Sequence, residues 1–130
     1  MNYQNGMSIL VAIHDQNLRE TFQTILENDG FEVVATKTGE DTLRAMDIEK
    51  PFQIMYLDLL ITKNDFWSTL NSIKNLALRG KTKKLIMLID GATEQLKDYE
   101  MRRYGIDGVC TKIDMDPSTL LARSHEYADK

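Results

Sequence analysis

A single cysteine, Cys110, excludes an intramolecular disulfide, and its place in a strand-like run makes a buried, inert thiol the expectation. No apolar run approaches the roughly 18 residues of a membrane span, and the opening residues MNYQNG lack the apolar core of a signal peptide. Positive charge is not in excess either. Sixteen Lys and Arg against 20 Asp and Glu leave a formal net charge of -4, with no basic footprint for neutralising nucleic-acid phosphates. The one basic run, Lys74, Arg79, Lys81, Lys83 and Lys84, straddles an expected helix end and loop and reads as a solvated face. These absences point to a cytoplasmic protein that engages neither membrane nor nucleic acid directly.

What is present is ordinary globular composition, 42% hydrophobic and 28% charged over 130 residues, which suits one domain able to bury a core. Residues 1–6 read as a loose leader and residues 7–130 as a single domain beginning at Met7. Apolar runs at 8–13, 31–36, 52–58, 84–89 and 107–112 read as strands. Between and after them, helical spacing predicts helices from Asn17 to Gly30 and over 38–49, 65–78, 93–104 and 116–128. Pro51 and the glycines Gly30, Gly80 and Gly105 punctuate the pattern, and Asp116 followed by Pro117 has the chemistry of a helix start. Strict alternation of this kind predicts an α/β fold: a doubly wound, five-stranded parallel sheet with helices on both faces.

In such sheets chemistry gathers beyond the carboxyl ends of the strands. Asp58 interrupts the apolar stretch IMYLDLLI, where an unpaired buried charge would cost several kcal/mol or force a large pKa shift. As the last residue of the third strand, its carboxylate is expected at the carboxyl edge of the sheet and outside the core. The other strand ends carry Ile13, His14 and Asp15, then Asp90, then Lys112.

The segments ILVAIHDQNLRE, TGEDTL, PFQIMYLDLLITKND and YGIDGVCTK are similar, in that order, to the first strand and acidic turn, second helix, phosphoacceptor strand and lysine strand of the receiver domains of two-component response regulators. The resemblance covers nearly the whole chain and implies the flavodoxin-like strand order 2-1-3-4-5. It assigns Asp58 to the position phosphorylated by a histidine kinase, and Lys112 to the lysine that pairs with the phosphoryl oxygens.

Other positions depart from the family. The acidic pair that helps hold magnesium is replaced by Ile13 and His14, with Asp15 adjacent; neither replacement supplies the hard oxygen ligand that magnesium wants, so metal binding is expected to be weak. A register slipped by one would bring Asp15 into the pair, but the spacing from Leu18 to Gly30 favours the unslipped alignment. The hydroxyl position after strand four falls on Asp90, or on Ile89 with a one-residue shift. The proline after the lysine is Ile113, and the aromatic switch residue is Val109.

Two readings of Asp58 stay open at this level: a phosphoacceptor with unusual metal needs, or an aspartate salt-bridged to Lys112 as a local staple. Asp90 reads as a cap of the fourth helix or a partner of Lys112, and His14 as a partly exposed loop residue. Met87, Met101 and Met115 read as core filler, and Trp67 as packed under its helix. Tyr99, Arg102, Arg103 and Tyr104, with Val109, mark the expected partner face on helix four.

The function expected from these residues is signalling through protein contacts, with a sensor histidine kinase or a downstream output protein as partner and a homodimer through the helix four to helix five face as a further expectation. The alternative of another class is a small flavodoxin-like enzyme or carrier. It lacks a glycine-rich phosphate loop after strand one, so enzyme activity beyond self-catalysed phosphoryl transfer is not expected.

Overall fold

The computed structural model describes residues 7–62, 66–90 and 98–129. Five strands, β1 (Ser8–Ala12), β2 (Glu32–Thr36), β3 (Phe52–Asp58), β4 (Thr82–Ile89) and β5 (Gly108–Thr111), form one parallel sheet in the order β2-β1-β3-β4-β5. The expected architecture is therefore present. The helices are α1 (Gln16–Asn28), α2 (Gly39–Ile48), α3 (Phe66–Leu78), α4 (Asp98–Tyr104) and α5 (Pro117–Ala128). The leader expected at residues 1–6, and the first turn of the helix expected from residue 93, lie outside the described residues.

Side chains on a strand alternate between faces, and the core divides accordingly. Ile9, Val11, Ile54, Tyr56, Ile86 and Leu88 meet Phe22 and Leu26 of α1 and Leu120 and Ala128 of α5. On the other face Leu10, Ala12, Met55, Leu57, Leu85, Met87 and Ile89 meet Ala45 and Met46 of α2, Leu70 and Ile73 of α3, and Tyr104 of α4. Burying each such side chain contributes about 1.5–3 kcal/mol, which is why continuous apolar runs mark the central strands. Met87 and Met115 are buried and Met101 packs at the core margin, as expected of gap-filling methionines.

Local chemistry fixes the helix ends. The side chains of Asp15, Thr38 and Asp116 accept hydrogen bonds from the backbone N–H groups of Leu18, Asp41 and Thr119, capping α1, α2 and α5. Gly30 and Gly105 follow α1 and α4 at φ 99° and 68°, the left-handed region where a side chain would be strained. A buried polar seam ties the central strand to the last helix: the Tyr56 and Ser124 hydroxyls lie 2.6 Å apart. Burial pushes the Tyr56 phenol well above its ordinary value, against the opposing effect of the Ser124 hydrogen bond.

Candidate functional site

Parallel strands bring β1, β3, β4 and β5 to a common carboxyl edge, and groups from the turns after β1, β3 and β5 meet Asp58 there. The carboxylate does sit at that edge, but the expectation that it escapes the core is corrected: its side chain is 0% exposed. Three donors offset the burial. Lys112 Nζ lies 2.6 Å from Oδ1, Leu60 N–H donates to the same oxygen at 3.0 Å, and His14 N–H donates to Oδ2 at 2.9 Å. The Leu60 donor comes from the 3₁₀ turn Leu59–Thr62 that follows β3 directly, and Lys112 opens the 3₁₀ turn Lys112–Asp114 after β5.

Lys112 is shared. Its Nζ also lies 2.9 Å from Asp90 Oδ1, and the Asp90 side chain is half exposed. Burial alone would lower the Lys112 pKa, but hydrogen bonds and charge from Asp58 and Asp90 outweigh it and hold the ammonium above its ordinary value. Of the two residues considered for the position after strand four, Asp90 reaches the lysine whereas Ile89 is buried in the sheet core. Two carboxylates and one ammonium leave this cluster with a formal charge of one negative unit.

The β1 turn presents different groups. Ile13 is fully buried in the core, His14 is exposed and contributes its backbone N–H, and the Asp15 carboxylate caps α1 through Leu18 N–H at 2.8 Å. Asp15 is thus engaged at the start of α1. Arg19, which sequence reasoning passed over, reaches back from α1 to the carbonyls of Ile13 and His14 at 2.9 and 3.2 Å. It brings a guanidinium to the turn where the receiver pattern places acids.

The expected partner face is divided. Arg102 and Arg103 are exposed, and the Arg103 guanidinium lies 5.6 Å from the centroid of the Tyr104 ring. Tyr104 itself is only 7% exposed, so it is a core residue and the expectation that it joins a contact patch is corrected. Val109 is half-buried against the same core, while the Ile113 side chain stands out at 84% exposure. The side chains of Tyr99 and Trp67 lie outside the described residues. Cys110 is buried, with its thiol pushed above the ordinary value by burial, as expected of an inert residue.

No family model matches the chain, and no curated protein matches it. Solved structures do. A CheY-like response regulator receiver domain from Methanospirillum hungatei JF-1 superposes with a TM-score of 0.75 at 19% identity, covering 94% of each chain. A CheY-like receiver domain from Methylobacillus flagellatus gives 0.73 at 24% identity, covering 93% of this chain and 98% of its own. The BeF3-activated DrrB receiver domain gives 0.71 at 25% identity, covering 95% and 98%. The chain has the fold of response regulator receiver domains along nearly its whole length. No helix among the described residues is long and apolar enough to cross a membrane.

Proposed function

We propose that this chain is a receiver-like signalling domain of the two-component type whose output is protein contact and whose phosphorylation is weak or dispensable. One observation carries the proposal: both Asp58 carboxylate oxygens are engaged, by Lys112 and two backbone amides, with no side-chain exposure left for an incoming phosphoryl donor. Phosphoryl transfer needs a reachable nucleophile and charge cancellation around the phosphoryl oxygens. Here the nearest cation is already shared with Asp90.

The donor set does not fit magnesium, which takes near-octahedral oxygen ligands. Ile13 offers a buried hydrocarbon, His14 an imidazole on an exposed turn, and Asp15 a carboxylate engaged as a helix cap. In this reading magnesium binds weakly, Asp58 acts chiefly as the anchor of three converging turns, and the protein works in the cytoplasm. Its partners are a sensor kinase or an output protein, met through the exposed part of the face formed by α4, β5 and α5. A homodimer through the same face belongs to this reading as well.

A second reading has its own support. The direct 2.6 Å contact between Asp58 and Lys112 is the pairing a phosphoacceptor site requires, so slow phosphorylation of Asp58 with atypical metal needs is the competing function. Titration with beryllofluoride and magnesium separates the two, read by the amide shifts of His14 and Leu60 and by the fluorescence of the one tryptophan, with Asp58→Asn as control. The first reading predicts no saturable response at millimolar magnesium. A saturable response abolished by Asp58→Asn would overturn it in favour of the second.

A further inference from the structure

At the opposite, amino edge of the sheet the molecule carries a cleft of about 250 Å³ between the ends of α3 and α4 and the starts of β4 and β5. Its apolar lining is Leu85, Tyr104, Ala77 and Leu78, and Leu78 is 75% exposed. Three cations from three different elements surround it: Lys74 of α3, Lys83 of β4 and Arg102 of α4. Lys83 shares its strand face with the buried Leu85, Met87 and Ile89, so an ammonium occupies a register position that sheet alternation would give to an apolar side chain. The one acidic residue in the lining, Asp107, is engaged, because its carboxylate accepts the Leu85 backbone N–H at 2.8 Å.

Among the described residues none of the three cations is held in an ion pair, in a protein whose formal net charge is -4. Two lysines of the basic run thus belong to a concave, partly apolar surface and not merely to a solvated face. The other members differ: Lys81 Nζ donates to the Asp47 carbonyl at 3.1 Å.

We infer that this cleft docks an acidic segment of a protein partner, one in which carboxylates flank a single large apolar side chain. The charge is complementary, and the floor offers contact to one apolar group at a time. The volume lies below the roughly 300–1,000 Å³ of typical small-molecule pockets, which favours a side chain presented by a peptide over an enclosed metabolite. Three cations around one small concave spot do not form the extended basic stripe that neutralises a run of phosphates, so a polynucleotide is the less suitable occupant.

The test uses the full chain and a fluorescein-labelled peptide, Glu-Asp-Phe-Glu-Asp, followed by anisotropy and by amide shift mapping. The proposal expects saturable binding in the micromolar to millimolar range, with shifts clustered at Leu78, Leu85 and Gly105. Lys83→Glu and Arg102→Glu should each weaken binding about tenfold while Lys37→Glu on the far edge leaves it unchanged, and raised salt should weaken it in the wild type. Circular dichroism of each variant separates lost binding from lost fold. Equal binding of a Lys-Arg-Phe-Lys-Arg peptide, shifts located elsewhere, tighter binding of an oligothymidylate than of the acidic peptide, or no binding at millimolar peptide would each overturn the proposal.

Discussion

The two edges of the sheet treat charge in opposite ways. At the carboxyl edge Lys112 is drawn between Asp58 and Asp90, and its side chain is only 13% exposed. At the amino edge Lys74, Lys83 and Arg102 ring a cleft whose one lining carboxylate is bound to a backbone amide. A buried ion pair is costly to break because the remaining charge loses its partner, whereas an exposed cation has water as a substitute. Substitutions at the first edge should therefore appear as stability, and substitutions at the second as binding.

The largest expected effect is that of Lys112→Met. Leaving the Asp58 carboxylate buried with only backbone donors should cost about 3 kcal/mol in a urea unfolding experiment, at the lower end for a broken buried pair. Asp58→Asn removes the charge and keeps the shape, and Lys112 retains Asp90, so a smaller loss of about 1–2 kcal/mol is expected. An equal or larger loss for Asp58→Asn would mean that the carboxylate, and not the stranded charge, dominates the cluster.

The pH dependence sharpens the contrast further. The folded state raises the Lys112 pKa, so its stabilisation is fully present below the unfolded lysine value of about 10.4 and is lost as pH rises through the higher folded value. The stability gap between wild type and Lys112→Met should hold steady at neutral pH and shrink above about pH 10. Tyr56, also raised, adds loss in the same direction, because the unfolded phenol gives up its proton first. Tyr56→Phe should flatten that part of the alkaline decline, at a cost near 1 kcal/mol for the Ser124 hydrogen bond. The smallest effect belongs to the other edge. Lys83→Glu and Arg102→Glu should change unfolding stability by no more than about 0.5 kcal/mol, as exposed substitutions usually do.

How much of this was legible beforehand varied with the physics behind each feature. β3 is found at the expected residues because a run between Pro51 and Asp58 that is apolar at every position but Gln53 has few other solutions. β4 begins earlier than expected, at Thr82, since pairing with Phe52 extends the strand through residues whose polarity hides it. The strand order came from resemblance, as alternation alone does not specify which strands are neighbours. The pairing of Asp58 with Lys112 is one of the two readings that the residues allow, but its depth is not legible in them. Two of the donors to Asp58 come from 3₁₀ turns, and such turns leave little periodic signal. The His14 and Leu60 donors are backbone amides, which any residue type supplies, so no side chain could have marked them.

The hydrogen bond from His14 N–H to Asp58 joins positions 44 apart in the chain, and Lys112 lies farther along still. Contacts this distant in sequence must wait for loop closure, so the cluster forms late while α1 can form from local contacts. Substitutions that weaken it should speed unfolding and leave the refolding rate nearly unchanged. In native-state hydrogen exchange the His14 amide should then act as a clock for that last closure, exchanging whenever the three turns part and before the sheet itself opens.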